Sequence, residues 1–283
     1  MVTRTTPEID WSTFPDSDGE PMAETSANAI QMVDLQWMLQ TLFDLQGRLG
    51  TTTVGGNQFV YYNRYNGRDN ISPDVYVIFD RTPPAPPSWK TWVQGKFPDI
   101  VFEITSSSTR AQDLSEAPRG KRTLYAELGA KEYYIYDPQQ ETEPPFLGFE
   151  SRGGRMEPLP ALSSGGVMSL SLGAELRPVA MGQTEWRPAG TWLRVIDPRT
   201  NKPIALTDEL YRDFAVEHNA RVEAERARVE AERARGARRG DAPGPVTTAG
   251  PGGLTGVAPV RAAPQFKARP GWYRARPRIA PIA

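Results

Sequence analysis

An acidic residue stands in the middle of an apolar stretch, and this placement is the first sign of chemistry in the sequence. Glu103 lies in IVFEIT, residues 100–105, where every other side chain is β-branched or aromatic. Such a run is typical of a buried strand. Burying an ionised carboxylate is costly unless the group is paired, protonated or bound to a metal. Glu103 therefore needs a partner from elsewhere in the chain.

Two further charged residues are candidate partners. Asp74 begins the predicted strand DVYVIFD, residues 74–80, and Lys121 lies in a predicted helix that ends at Gly129. Adjacent strands would place Asp74 beside Glu103, where two close carboxylates repel unless a divalent cation or a proton lies between them. Lys121 shares one helix face with three apolar residues that turn toward the core. We therefore expect the three charged side chains to converge.

Each of the three also has an ordinary structural explanation. Asp74 could cap a turn, Glu103 could pair with a core arginine, and Lys121 could extend past the core into solvent. If they converge, their oxygen ligands suit Mg²⁺. In phosphodiester hydrolysis such a metal stabilises charge on the phosphate and lowers the pKa of a water. A nearby ammonium, the role that suits Lys121, would orient that water or stabilise the transition state.

The composition excludes several other kinds of site. The 283 residues include no cysteine and one histidine, His218, so disulfides, thiolate metal sites and sites needing two imidazoles from one chain are excluded. Hydrophobic residues make up 39% and charged residues 24%, as in an ordinary soluble protein. No apolar run approaches the roughly 18 residues of a membrane-spanning helix, and the N-terminus lacks the apolar core of a signal peptide. We expect a cytoplasmic protein that does not contact a membrane.

The elements that would position these residues are one helix followed by four strands, with a second helix, that of Lys121, before the last strand. A first helix is predicted between Ser26 as N-cap and Gly50 as C-terminal stop, with an apolar stripe that would pack against a sheet. Besides the strands of Asp74 and Glu103, strands are predicted near residues 58–63 and 132–138. The order of strand, helix and strand around Lys121 is that of an α/β unit.

Less regular segments separate and follow these strands. The proline-rich residues 81–98 predict a surface loop carrying Trp89 and Trp92, whose rings would either cover the edge of the core or contact substrate. Residues 146–160 predict a hairpin with a Gly-Gly turn. Residues 166–178 and 191–200 predict further strands that could complete the sheet on one side.

The C-terminal part of the sequence is highly charged. Residues 221–234 contain the heptad RVEAERA twice, inside a helix predicted to begin near Thr207. The period is that of a coiled coil, but Val222 and Val229 are its only apolar residues besides alanine, so a solvated helix with Glu–Arg pairs is the alternative. Residues 237–283 carry eight Arg and Lys against one acid and are predicted to form a disordered basic tail that could bind phosphates.

The order of the three charged residues resembles that of the Uma-type family of putative restriction endonucleases, members of the PD-(D/E)XK nuclease superfamily. The matching stretches are GNQFVYY, SPDVYVIFD, PDIVFEITSSST and the run from GKRTLYAELGAKEYYIYDP, within roughly residues 10–210. The resemblance implies a mixed α+β fold, a β-sheet flanked by helices. It also implies Asp74 as the motif aspartate, Glu103 as the motif glutamate and Lys121 as the family's migrated lysine.

The chain departs from the superfamily pattern at one position. Thr105 stands two residues after Glu103, where the superfamily has its lysine, so an active site requires Lys121 to reach in from its helix. Glu24 is a further candidate metal ligand, because first-helix glutamates often serve so in this superfamily. A charge at the N-terminus of the helix is the alternative explanation of Glu24.

The resemblance implies an endonuclease that uses Mg²⁺ or Mn²⁺ to hydrolyse phosphodiester bonds in DNA, with a homodimer expected because two strands are cut. One alternative is a catalytically inactive nuclease-fold protein that binds nucleic acid or a protein partner. A more distant alternative is a structural domain with a buried Lys121–Glu103 salt bridge. The predicted organisation is a restriction-endonuclease-like domain over residues 1–206, a charged helix over 207–236 that could form a short coiled coil, and the tail over 237–283.

Overall fold

The computed structural model describes residues 9–16 and 25–239, and these form five helices and thirteen strands, besides two short 3-10 turns. The helices are α1 (Ser26–Leu45), α2 (Thr91–Gln94), α3 (Arg110–Asp113), α4 (Lys121–Leu128) and α5 (Thr207–Arg239). The strands are β1 (Thr52–Gly55), β2 (Val60–Tyr61), β3 (Asn70–Ile71), β4 (Val75–Phe79), β5 (Trp89–Lys90), β6 (Ile100–Ile104), β7 (Glu132–Tyr136), β8 (Phe146–Arg152), β9 (Arg155–Pro158), β10 (Val167–Ser169), β11 (Ala174–Met181), β12 (Gly190–Asp197) and β13 (Lys202–Pro203). By its contacts the chain divides into two units, Met1–Val222 and Glu223–Ala283.

A mixed six-stranded sheet carries Glu103 and the strand that follows Asp74. Its order is β1-β4-β6-β7-β8-β9, and within it β6 and β7 are parallel while the other neighbours are antiparallel. Every residue of β4, β6 and β7 is buried, which is why their sequences are nearly continuous runs of β-branched and aromatic residues. In the sequence, α3 and α4 lie between the two parallel strands, so the predicted unit of strand, helix and strand is present. The fold is the expected α+β arrangement, a mixed sheet flanked by helices.

Side chains of this sheet enter two separate apolar cores. On one face they pack with α1, and on the other they pack with α4. Phe102 belongs to the α1 face, whereas Val101 and Tyr76 belong to the α4 face. Because side chains alternate along a strand, Glu103 points to the same side as Val101. The same alternation assigns Asp74 to the side of Tyr76, so both acids belong to the α4 face.

The strands beyond Pro158 form a second sheet, so the prediction that they complete the first one is wrong. Strands β10 to β13 pair antiparallel in sequence order. The first sheet ends at β9, an edge strand in which only Met156 is buried. Several apolar side chains of β11 and β12 instead join the core around α1, among them Leu176, Leu193 and Val195.

Two local predictions have opposite outcomes. The hairpin of β8 and β9 is confirmed: Gly153 and Gly154 connect the strands with φ angles of 56° and 80°, which a two-residue turn of this kind requires. The proline-rich residues 81–98 were predicted to lack regular structure, and this is wrong. Beyond the prolines the stretch contains β5 and α2, and Trp89 is buried in the core on the α4 face.

Helix α5 includes both heptad repeats. In the described part of the second unit, Arg228 lies 3.0 Å from Glu225 and 3.8 Å from Glu232, so ion pairs within the helix stabilise this exposed segment. None of the described helices is both long and apolar enough to cross a membrane. Residues 240–283, most of the predicted basic tail, lie outside the described residues.

Candidate active site

One face of α4 supplies two groups that contact Glu103. The Nζ atom of Lys121, the first residue of the helix, lies 3.0 Å from Oε2 of Glu103. Tyr125, four residues further on and therefore on the same helix face, donates a hydrogen bond from its hydroxyl to Oε1. Glu103 is only 3% exposed. Its burial is therefore compensated by one cation and one hydroxyl donor.

A second buried carboxylate, Asp113, contacts the same lysine. Its Oδ1 atom lies 2.7 Å from Nζ of Lys121, and its Oδ2 accepts a hydrogen bond of 2.6 Å from the hydroxyl of Thr105. Asp113 is the last residue of the one-turn helix α3. A single ammonium therefore lies between two carboxylates, and the three ionised groups together carry one excess negative charge.

Asp74 lies across from Glu103 on the neighbouring strand. The register of β4 and β6 pairs Val75 with Phe102, and continuing it by one residue pairs Asp74 with Glu103. Side chains directly opposite in an antiparallel pair lie on the same face. Oδ2 of Asp74 accepts a hydrogen bond of 2.6 Å from the main-chain N–H of Ile104. The contact fixes this half-buried carboxylate at the end of the two strands.

The charged residues surround one polar cavity. Asp74, Glu103, Asp113 and Lys121 all line a cavity of about 380 Å³. Hydroxyl and amide side chains make up much of its remaining wall: Thr25, Asn28, Ser72, Ser106, Ser108 and Thr109. Such a lining suits a polar or charged ligand. A larger cavity of about 730 Å³ is lined by other residues of the first unit, including Ile30, Val33 and Trp186, and contains none of the predicted site residues.

The electrostatics of the group keep the lysine charged. Burial raises the pKa of Glu103 above its ordinary value of 4.5, and the neighbouring Asp113 adds to this rise while Lys121 opposes it. Burial alone would lower the pKa of Lys121, but Glu103 and Asp113 raise it above the ordinary 10.5. Lys121 is therefore a fixed ammonium at neutral pH, which can donate hydrogen bonds or stabilise negative charge but cannot act as a general base.

The donor set is compatible with a hard divalent cation. The charged ligands that line the cavity are carboxylates, the type that Mg²⁺ and Mn²⁺ prefer. Within residues 9–16 and 25–239, no three His, Cys, Asp or Glu side chains are grouped so that they could hold an ion. Mg²⁺ commonly uses only one or two carboxylates and completes its shell with water and substrate phosphate. Asp74 and Glu103 fit a site of that kind, since a carboxylate oxygen that accepts one hydrogen bond keeps a second lone pair.

Three of the four charged residues of the cavity are predicted from the sequence, and one is not. Asp74, Glu103 and Lys121 line one cavity, as expected from strand pairing and helix face. Glu24 lies outside the described residues. Asp113 was missed because a one-turn helix has no periodicity that would mark one of its residues as buried. The sequence contains only an indirect signal for Asp113. A lysine on an apolar helix face indicates that acidic side chains lie nearby, because its burial must be compensated by negative charge.

The chain matches one family model and is similar to a solved structure. The model of the family Uma2, described as "Putative restriction endonuclease", matches residues 14–180. A crystal structure described as a "putative nuclease belonging to DUF820" from Anabaena variabilis is similar at 15% sequence identity, covering 56% of this chain and 81% of that chain with a TM-score of 0.36. No curated protein matches the chain. The matched range of the family model includes every residue of the charged cluster.

Proposed function

Because this chain belongs to the Uma2 family, we propose that it is a divalent-metal-dependent endonuclease that hydrolyses phosphodiester bonds in DNA. The observation that carries the proposal is the position of Lys121, whose Nζ lies 3.0 Å from Glu103 in the cavity that Asp74 also lines. Two carboxylates and a fixed ammonium in a polar cavity provide ligands for a cation and a donor for a phosphate oxygen.

Each residue of the cluster has a proposed role. Asp74 and Glu103 would hold Mg²⁺ or Mn²⁺, with Glu24 as a further ligand. The bound ion would stabilise charge on the phosphate and lower the pKa of a water. Lys121 would donate hydrogen bonds to the phosphate oxygens, where negative charge increases in the transition state. Asp113 would act as a positioning residue, because its contact with Nζ fixes the direction in which the lysine points.

Plasmid cleavage tests this proposal. We expect the full chain to convert supercoiled plasmid to nicked or linear DNA with Mg²⁺ or Mn²⁺. Asp74→Asn and Glu103→Gln should each reduce the rate by about a hundredfold or more, as expected for loss of a group that acts on the transition state. Lys202→Ala, which removes an exposed lysine from β13, is the matched control and should cleave at the wild-type rate. A wild type that cuts with neither metal, or acid variants that cut as fast as the control, would overturn the proposal.

A second candidate function is favoured by one specific contact. Lys121 lies between Glu103 and Asp113, so both buried acids contact a cation without a metal. The same arrangement would suit an inactive nuclease-fold protein that binds nucleic acid or a protein partner. Such a protein would bind duplex DNA equally well in wild-type and Asp74→Asn form and would cut it in neither.

The assembly proposed for the enzyme is a homodimer, since cutting both strands takes two active sites. The two heptads of α5 would assist the association. The molecular mass of the full chain in solution tests the dimer, and a monomer would contradict it. A dimer that persists after truncation at residue 206 would show that α5 is dispensable for association.

The basic tail is proposed to contact DNA without sequence preference. Residues 237–283 carry eight basic side chains, and each phosphate contact would make the affinity more dependent on salt. Deleting these residues should weaken DNA binding at low salt and flatten its salt dependence. Identical salt slopes with and without the tail would exclude this role.

A further inference from the structure

The loop between β2 and β3, residues 62–69, presents basic and aromatic side chains at the protein surface. Its sequence YNRYNGRD interleaves two tyrosines with two arginines. Tyr65 is 73% exposed, Arg68 is also exposed, and the guanidinium of Arg64 lies 5.4 Å from the centre of the Tyr65 ring. An exposed aromatic ring beside arginine is a combination suited to nucleic acid, because bases stack on the ring while arginine binds phosphate.

The loop is held in one conformation by its own polar groups. Asn63 accepts a hydrogen bond of 3.0 Å from the main-chain N–H of Tyr65 and donates one of 2.8 Å to Asp69. Asn66 accepts one of 3.1 Å from the N–H of Arg68. The basic side chains are therefore displayed from an ordered turn, which lowers the entropy that binding would cost.

The loop is connected to the candidate active site from two directions. Strand β3 continues directly into Ser72 and Asp74, which line the polar cavity. Arg119, two residues before Lys121, reaches back to the loop, and its guanidinium lies 2.9 Å from Oδ1 of Asp69. The strand that follows the loop and the residues that follow Arg119 therefore both lead to side chains of the cavity wall.

The charges of the loop are only partly compensated. Asp69, its one acid, is paired with Arg119, whose side chain is 76% exposed. Throughout residues 9–16 and 25–239, no carboxylate pairs with Arg64 or Arg68, and Nε of Arg64 is buried without a hydrogen-bond partner. The two guanidinium groups of the loop would attract the phosphate backbone, whereas the polar cavity itself is lined by three carboxylates and one ammonium and has an excess of negative charge.

We propose that Arg64 and Arg68 bind the phosphate backbone of the nucleic-acid strand whose scissile bond enters the polar cavity, and that Tyr65 stacks on one of its bases. This proposal rests on the proposed function, and it adds the residues that position the substrate. They are binding residues, and none of them takes part in the hydrolysis.

Binding of a short fluorescein-labelled DNA duplex, followed by anisotropy in EDTA, tests this surface independently of cleavage. The double variant Arg64→Ala/Arg68→Ala should reduce the slope of log Kd against log salt concentration by about two and weaken binding at low salt by about tenfold. Arg68→Lys keeps the charge and should keep its share of the slope. Tyr65→Ala should weaken binding of the corresponding single strand by about tenfold, whereas Tyr65→Phe should not.

The controls separate this surface from general charge and from folding. Arg199→Ala removes a half-exposed arginine from the turn between β12 and β13 and should leave the slope unchanged. The surface is excluded if the double variant has the Kd and slope of Arg199→Ala, or if the wild type binds no DNA. If binding follows the expected pattern but no metal supports cleavage, this surface stands and the proposed hydrolysis fails. If cleavage is normal in the double variant with an unchanged KM, the hydrolysis stands and this surface fails.

Discussion

Two buried glutamates on neighbouring parallel strands have very different surroundings. Glu103 on β6 is 3% exposed and Glu132 on β7 is 4% exposed. Glu132 accepts hydrogen bonds from the hydroxyls of Tyr134 and Ser169, at 2.8 and 2.5 Å, and from the main-chain N–H of Ser171 at 2.9 Å. All of these donors are neutral, and the two serines belong to the region of the second sheet. Glu132 thus joins the six-stranded sheet to the sheet of β10 to β13.

Glu103 has charged neighbours instead. It contacts the ammonium of Lys121, lies near a second carboxylate, Asp113, and lines a cavity. Burial and the second acid raise the pKa of Glu103, so keeping this carboxylate ionised in the folded chain lowers the free energy of unfolding. The comparison shows that burial alone does not distinguish a structural carboxylate from a functional one. The distinction lies in uncompensated charge beside a space that a ligand can enter.

The largest effect is expected when Lys121 is removed. Lys121→Ala leaves two buried carboxylates without their cation, which should lower the free energy of unfolding at neutral pH by about 3–5 kcal/mol. Urea unfolding measures this, and Lys202→Ala should change it by less than about 0.5 kcal/mol. Because Lys121 contacts both acids, lost stability alone does not separate a catalytic from a structural role.

Lys121→Arg separates those roles. It keeps the positive charge, so most of the stability should return, but a planar guanidinium cannot place a donor where the ammonium was, and cleavage should stay low. Wild-type cleavage by Lys121→Arg would contradict a catalytic role for the ammonium. A variant Lys121→Ala as stable as Lys202→Ala would show that the cluster is not an ion-pair network.

The next effect concerns metal binding by Asp74. An ion bound only by the folded chain, present at about 100 times its Kd, adds about 2.7 kcal/mol of stability. Mg²⁺ or Mn²⁺ should therefore raise the Tm of the wild type, and Asp74→Asn should abolish the shift. Asp80→Asn is the matched control, since Asp80 is exposed and asparagine tolerates its positive φ of 58° equally well. An equal shift in Asp74→Asn would move the metal site elsewhere.

The two glutamates themselves should respond differently to the same substitution. The carboxylate of Glu132 accepts hydrogen bonds from three donors, and Glu132→Gln replaces one of its oxygens by an NH₂ group that donates. The free energy of unfolding should therefore fall by about 2 kcal/mol while cleavage persists. Glu103→Gln removes its repulsion with Asp113, so it should cost less stability and yet abolish cleavage. Calorimetry and plasmid cleavage on both variants measure this. If Glu132→Gln abolishes cleavage and Glu103→Gln does not, the functional role belongs to Glu132.

The smallest effect is the part of the pH dependence of stability that Glu103 contributes. Its pKa is raised in the folded state above the ordinary 4.5, so between 4.5 and the raised value the folded chain binds more protons than the unfolded chain. Stability from this group therefore falls as pH rises through that window, by about 1.4 kcal/mol for each pKa unit of the rise. Urea unfolding across the window should show a steeper fall in wild type than in Glu103→Gln, in which Asp34, whose pKa is also raised by burial, still titrates. Parallel pH profiles would contradict the raised pKa.

Much of this arrangement could be predicted because single residues carried strong local signals. The strands of Asp74 and Glu103 are runs of buried residues, and Gly129, with a φ of 94°, ends α4 where the sequence indicated. Strand pairing then places both acids on one face, and helix spacing turns Lys121 toward the core. Their placement in one cavity follows from those signals, while their roles in metal binding and catalysis stay predictions.

What could not be predicted depends on contacts between distant segments. Alternating apolar residues mark β11 and β12 as strands but do not specify which sheet they join, and the available apolar surface around α1 decides this. The side chain of Asp113 contacts Lys121 of α4 and Thr105, the residue after β6, so its surroundings come from other parts of the chain. Short helices such as α3 have no period from which such a contact could be inferred.

A crystal of the full chain soaked in Mn²⁺ tests the metal site most directly, because anomalous scattering locates the ion without assuming its ligands. We predict one anomalous peak between the carboxylates of Asp74 and Glu103, with Lys121 still in contact with Asp113. The peak should be absent from crystals of Asp74→Asn treated in the same way. No peak in the cavity, with the Lys121 ammonium still between Glu103 and Asp113, would contradict a metal-dependent active site at this position.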